Sequence, residues 1–206
     1  MKILLIGPQG SGKGTIGKLL SDKLRIPLVT TGKLLRKLPA DYPHYKKIQD
    51  DLSKGKLLPT KQVGLILKHE LKKKKYDKGL IIDGWCRKLS DLEMFDPDFD
   101  LVIYLDISRK TSIKRLTSRR VCEKKEHTYN VIYKPPKKSG VCDIDGSRLM
   151  HREDDVEEAI NKRLDLFHTR TEKVISHFKK EGTLIKINAE PLPDKIFKNI
   201  VSKLGI

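Results

Sequence analysis

The stretch GPQGSGKGT, from Gly7 to Thr15, constrains the fold of this chain more than any other. It follows the apolar run Lys2–Ile6 and precedes Ile16, Leu19, Leu20 and Leu24, which recur at helical spacing. A short apolar run stopped by glycines reads as a buried parallel strand, and the later spacing reads as an amphipathic helix. Strand, glycine-rich loop and helix in that order make an anion cradle. Gly7, Gly10, Gly12 and Gly14 let backbone N–H groups turn inward without Cβ clashes. The helix aims its positive end at the same point. Lys13 adds a full charge able to bridge β- and γ-phosphates. The general rule puts a magnesium-binding Ser or Thr directly after the lysine. Here Gly14 takes that place and Thr15 comes one residue late.

The rest of the chain supports an α/β reading. Apolar strands are expected at Pro27–Thr30, Gly79–Asp83, Leu101–Asp106 and Thr183–Ile187. Helices are expected at Lys33–Leu38, Tyr45–Leu52 and Thr60–Leu71, and from Ser108, a good N-cap. Two more are expected, from Asp154 or Asp155 to about His177, and over Asp194–Lys203. Between Val121 and Met150 the helical period is lost amid Pro-Pro, two glycines and two cysteines, which predicts a small β-rich or irregular lobe. Alternating strands and helices imply a central parallel sheet, here five-stranded, covered on both faces. Asp83 closes a strand, where ligands gather in open α/β sheets.

Composition bounds the rest. The 206 residues suffice for one good core with small inserted lobes. Apolar runs such as LLIG and LIID are too short to span a bilayer, and Gly7 and Pro8 interrupt the first, so no membrane partner and a cytoplasmic location are expected. Three cysteines, few and odd in number, imply no disulfide framework. The formal net charge is +17. Such a charge fits a nucleic-acid face or a solvated basic surface. The lysines are scattered and lack interleaved aromatics, which favours the solvated surface.

GPQGSGKGT resembles the loop of the adenylate kinases and related nucleoside monophosphate kinases, which carry Gly-Lys-Gly-Thr here. The resemblance covers nearly the whole chain. It implies a P-loop three-layer sandwich in which residues 1–29, 60–117 and 156–206 form the core. Residues 30–59 would form a helical monophosphate-binding lobe and 118–155 a small β-rich lid. ATP would lie on Gly10, Ser11, Gly12, Lys13, Gly14 and Thr15. TTGKLLR is similar to the family's Thr-Gly-Asp-x-x-Arg stretch, so Thr31, Gly32 and Arg36 would hold AMP. Lys33 stands where that stretch has aspartate. The backbone near Leu58, in GKLLP, would face the acceptor base. DGWCRKLSDLE resembles Asp-Gly-Phe-Pro-Arg-Thr-x-x-Gln. Asp83 would bind Mg²⁺ through water, Gly84 and Arg87 would contact AMP, and Asp91 replaces the glutamine that reads adenine. An ionised aspartate only accepts hydrogen bonds, so it suits guanine's donors better than adenine N1. The alternative is that Asp91 is solvated and another group reads the base. Cys86 replaces a proline.

RLTSRR is similar to the family's arginine-rich lid boundary. Arg115 would stack on the donor adenine beside the Pro191 backbone, and Arg119 would contact the transferring phosphate. Arg152 and Arg163 would complete an arginine clamp, with Asp154 and Asp155 as anchors. Lys13, Arg87, Arg119, Arg152 and Arg163 carry the implied catalysis. Many lids of the family hold zinc at four positions, which here are Cys122, Lys125, Cys142 and Asp145. Zinc wants four ligands, and lysine takes one corner. A metal-free lid with a Lys125–Asp145 ion pair is therefore expected, with His127 at a shifted position as the alternative fourth ligand. The implied protein is a monomer that converts ATP and AMP to two ADP with Mg²⁺ and has no nucleic-acid partner. A kinase preferring GMP, CMP or UMP is the nearest alternative. A nucleic-acid-binding P-loop protein is the more distant one.

Overall fold

In the computed structural model, which describes residues 1–124 and 126–206, the chain begins with β1 (Lys2–Ile6), α1 (Lys13–Leu24), β2 (Leu28–Thr30), α2 (Thr31–Arg36) and α3 (Tyr45–Ser53). It continues through α4 (Thr60–Leu71), a 3₁₀ turn at Lys74–Tyr76, β3 (Leu80–Asp83), α5 (Ser90–Met94), β4 (Leu101–Asp106) and α6 (Arg109–Thr117). Three short strands follow, β5 (Arg119–Cys122), β6 (Thr128–Asn130) and β7 (Leu149–Met150). The chain ends with α7 (Glu157–Leu166), a π-helical turn at Phe167–Thr171, α8 (Glu172–Lys180), β8 (Leu184–Asn188) and α9 (Pro193–Leu204).

The side chains of β1 alternate between two apolar layers, as a strand's period of two requires. Ile3 and Leu5 pack with Ile16 and Leu20 of α1 and with Ile196 and Ile200 of α9. Leu4 and Ile6 pack with Val63 and Leu67 of α4 and with Val174 and Phe178 of α8. Burial on both faces explains why these strands are continuous apolar runs. The central sheet has the order β2-β3-β1-β4-β8, and all four pairings are parallel. A Cβ on Gly17 would lie 2.9 Å from Leu28 Cδ1 and 3.0 Å from Leu5 Cδ1, so glycine lets α1 lie this close to the sheet.

Strand order runs outward from β1 in both directions, which makes the carboxyl end of β1 the switch point where α/β sheets open a crevice. The loop 7–12 fills that end. Ser108 caps α6 as expected, its Oγ accepting from the Thr111 N–H. The long helix expected from Asp154 or Asp155 begins at Glu157 instead, because both aspartates are drawn to arginines in the crevice. It is also broken by the π turn before α8 resumes. Residues 121–150 hold the expected β-rich unit: β6, β5 and β7 pair antiparallel around Cys122, Tyr129, Cys142 and Leu149. Among the described residues, no helix is long and apolar enough to cross a membrane.

Candidate active site

The loop after β1 is a turn built on glycine. Gly10 and Gly12 adopt left-handed φ of 86° and 88°, and Ser11 is fully buried. Lys13, the first residue of α1, folds its Nζ back over the loop. It donates to the Gly7 carbonyl at 2.8 Å, the Pro8 carbonyl at 3.0 Å and Ser11 Oγ at 3.4 Å. Desolvation lowers its pKa to about 8; Asp83 opposes the shift, and Arg87, Arg119 and Arg163 add to it. The ammonium is therefore held among like charges, poised for an anion.

Asp154 and Asp155, both buried between β7 and α7, gather four arginines from distant parts of the chain. Asp154 Oδ2 accepts from Arg36 at 2.9 Å, Arg152 at 2.5 Å and Arg163 at 2.7 Å, while Asp154 Oδ1 accepts from Arg152 Nε. Asp155 accepts from Arg119 at 2.5 and 2.6 Å and from Arg163 at 3.0 Å. Burial resists ionisation of Asp154, but Arg152, Arg163 and Arg36 outweigh it and hold the carboxyl below the usual range. Asp83 closes β3 within electrostatic reach of Lys13, Arg87, Arg152 and Arg119; burial pushes its pKa up against them. Among the described residues, Lys13, Arg36, Arg87, Arg119, Arg152 and Arg163 thus face four buried carboxylates, Asp83, Asp154, Asp155 and, beside Arg87, Asp91.

Thr31 and Gly32 open α2, where Arg36 donates to the Gly32 carbonyl at 2.9 Å. Thr31 is buried, and its hydroxyl has no partner among the described residues. Leu58 lies in the apolar layer beneath α4. Gly84, with φ of 88°, lies within reach of the Arg87 guanidinium, 3.5 Å from the position of a Cβ. Asp91 is buried rather than solvated, which corrects one of the two expectations for it. Its Oδ1 accepts from Thr60 at 2.7 Å, and its Oδ2 accepts from the backbone N–H groups of Arg87 at 2.9 Å and Lys88 at 3.2 Å. Asp91 thus fastens the Arg87 loop to the start of α4. Cys86, in the same loop, has φ of 58°, a value proline cannot adopt.

Across the loop, Arg115 of α6 donates to the carbonyls of Ala189 at 2.9 Å, Glu190 at 2.8 Å and Pro191 at 3.1 Å. Arg115 and Pro191 therefore share one wall of the crevice. Tyr133 lies over the guanidinium, 5.6 Å from ring centre to Arg115 Cζ.

Comparison with known proteins agrees with this geometry. The family model described as "Adenylate kinase" matches residues 5–183. The chain belongs to the adenylate kinase family. It is 33% identical to an adenylate kinase of Caldicellulosiruptor bescii over 214 aligned positions that cover all of both chains. It is 36% identical to that of Malacoplasma penetrans, covering 97% of this chain and 94% of the other. With the adenylate kinase of Thermodesulfovibrio yellowstonii it shares 36% identity across 99% of each. The chain is thus a phosphotransferase of the adenylate kinase family.

The family's four lid positions put a lysine at one corner, and in the structure His127, the alternative fourth ligand, lies beside the other three donors. His127 Nδ1 lies 3.7 Å from Cys122 Sγ, 3.4 Å from Cys142 Sγ and 3.3 Å from Asp145 Oδ2. The four donor atoms all fall within 4.8 Å of one another. Lys125 and its expected ion pair with Asp145 lie outside the described residues. Asp145 Oδ1 accepts from the Ser147 N–H and hydroxyl. Its Oδ2 is buried without a hydrogen bond among the described residues. Cys122 Sγ accepts from the His127 N–H. Tyr129 Oη accepts from the Asp143 N–H and lies 3.6 Å from Cys142 Sγ.

Three residues of these sites escape a reading by motif. Thr60 shows its role only once Asp91 is folded beside it. Tyr133 sits in an irregular stretch with no pattern to mark it. His127 was legible only as a histidine near two cysteines, since its spacing departs from the family's.

Proposed function

We propose that this chain catalyses reversible phosphoryl transfer from MgATP to AMP, giving two ADP, in the crevice at the carboxyl end of β1. The carrying observation is the surplus of cations there: six basic side chains converge against four buried carboxylates, Asp83, Asp91, Asp154 and Asp155. Two polyanions repel each other, and the acceptor phosphate oxygen is already anionic, so catalysis requires positioning and positive charge rather than a base. Gly10, Ser11, Gly12, Gly14 and Thr15 would cradle the donor phosphates with Lys13, while Arg115 and Pro191 would line the donor base. Arg87 and Arg36 would grip the acceptor phosphate, because a guanidinium fork suits bidentate contact. The unpartnered Thr31 hydroxyl supports an acceptor beside Gly32, Leu58 and Gly84. Arg119, Arg152 and Arg163 would hold charge on the moving phosphoryl group.

Residues 30–59 and 118–155 act as two lobes that fold over the core of 1–29, 60–117 and 156–206 and exclude water as an alternative acceptor. Magnesium fits this site: Asp83 is a buried carboxylate at the strand end among the same cations. It would anchor the ion through water, the ligand Mg²⁺ prefers to keep. The ion would neutralise charge between the phosphates.

The 118–155 lobe also fits zinc. A tetrahedron with Zn–S of about 2.3 Å and Zn–N or Zn–O of about 2.0 Å has edges of roughly 3.3–3.8 Å. The spacings around His127 match those edges. Cys122 Sγ accepts an N–H that suits a thiolate, and Asp145 Oδ2 has no hydrogen bond among the described residues. A core of four buried side chains is too small to hold a lobe unaided. Cys122, His127, Cys142 and Asp145 would hold a structural ion that staples it. Asp91 spends its carboxylate inside the protein, which supports AMP over a guanine nucleotide.

Initial rates with ATP, Mg²⁺ and each of AMP, GMP, CMP and UMP test the assignment. AMP should exceed the others by at least about tenfold, a discrimination of about 1.4 kcal/mol. A higher rate with any other monophosphate overturns it.

A further inference from the structure

We infer that Glu126, Lys33 and Lys37 form a clasp that sets how firmly the two lobes close over the nucleotides. The inference rests on the phosphotransfer reading of the crevice.

Glu126 lies in the turn between β5 and β6, at the edge of the 118–155 lobe. Lys33 lies in α2 and Lys37 at its carboxyl end, on the opposite lobe. Lys33 Nζ is 2.5 Å from Glu126 Oε2, and Lys37 Nζ meets Glu126 Oε1. Each carboxylate oxygen therefore takes its own lysine. Residues 33 and 37 are one helical turn apart, so α2 presents both to the same partner. Lys33 stands where the family pattern has an acid. An acid there would repel Glu126, so the reversal of charge gives the contact a reason.

The clasp differs from the other bridge between these segments. Arg36 pairs with Asp154 inside the crevice and belongs to the charge cluster. The lysines and Glu126 sit at the rim, their side chains 43%, 47% and 35% exposed, outside the set that would face phosphate. Nothing in the proposed chemistry uses them. They bond lobe to lobe, so they exist only when the lobes meet. Such a contact favours the closed state over the open one by whatever it contributes, and opening often limits product release. Glu126, Lys33 and Lys37 are thus positioning residues: they act through closure, not on the reacting atoms. Exposed ion pairs are weak and screened by salt, which suits a clasp that must release each cycle.

The test measures closure without relying on turnover. Fluorescent labels at Asp41→Cys and Lys138→Cys, both exposed sites on opposite lobes, report the inter-lobe distance by energy transfer. Glu126→Gln and, separately, Lys37→Gln should shift the open–closed equilibrium toward open by roughly threefold to fivefold. Raising KCl should open the unmodified clasp and leave Glu126→Gln nearly unchanged. In kinetics, both variants should raise KM for both nucleotides severalfold with kcat equal or higher. Glu126→Lys should open the lobes further, and adding Lys33→Glu with Lys37→Glu should restore closure. Lys37→Gln lies on the lobe away from His127, and unchanged metal content in Glu126→Gln excludes an indirect effect. An inter-lobe distance unchanged in both variants and at high salt overturns the clasp, even if AMP is phosphorylated normally. Absence of turnover with a salt-sensitive clasp would instead count against the phosphotransfer reading alone.

Discussion

Lys13 carries the clearest pH signature of any residue here. With its pKa lowered to about 8 in the free protein, it is charged below that pH and increasingly neutral above it. Bound polyphosphate raises the pKa again, so ATP binding should take up about one proton near pH 9 and about none near pH 6.5. ATP affinity should accordingly fall as pH rises past 8. Calorimetry in two buffers of different ionisation enthalpy reads the proton count directly; no uptake near pH 9 would contradict the assignment. Asp91 gives a second test. Asp91→Ala leaves two backbone N–H groups and the Thr60 hydroxyl unpaired, which should cost about 1–3 kcal/mol in urea unfolding and raise KM for AMP. Asp91→Asn keeps an acceptor for the loop and should behave more mildly. Cys86→Pro should destabilise by about 3 kcal/mol or more, because its φ of 58° is closed to proline. Lys13 and Arg87 were legible in the sequence because their motifs are short and local. The role of Asp91 was not, because its partner Thr60 lies on another element and becomes a neighbour only on folding.

At the scale of elements, the sequence spoke clearly where periodicity is strong. The inner strands of the central sheet, such as β1 and β3, appeared as apolar runs because they are buried on both faces, and α1 and α4 showed their inward stripes. It spoke less clearly where polar tertiary contacts compete with local preference. Asp154 and Asp155 looked like the start of a helix, yet they serve four arginines, and α7 starts only at Glu157. The β5–β7 unit was legible as irregular or β-rich, and His127 was legible as an alternative to Lys125 at the fourth corner, but the choice between them was not, because it depends on the turn after β5 that brings His127 to the cluster. The zinc proposal makes a direct prediction: mass spectrometry of metals in purified protein should find about one zinc per chain. His127→Ala and Cys142→Ser should each lose most of it and lower the melting temperature by several degrees, about what losing a local staple implies. Full metal content in His127→Ala would return the fourth corner to another residue.

For the whole molecule, the organising fact is charge. The chain's +17 is spread over its surface, yet its concentrated part lies in one crevice where six cations meet four buried carboxylates. Composition announced the excess but not its location, because four of those arginines come from four separate elements and turns. On the proposed reading, two lobes that fold over that crevice would exclude water, so the phosphoryl group should reach a nucleotide and nothing else. Removing one of the clamping charges, as in Arg119→Gln, should lower kcat by about 10²–10³ with a smaller effect on KM, read by steady-state kinetics. The most direct measurement follows the phosphorus spectrum of ATP, AMP and Mg²⁺ incubated with the purified protein. Two ADP should form for each AMP consumed, with no inorganic phosphate. Release of inorganic phosphate without loss of AMP would contradict the account.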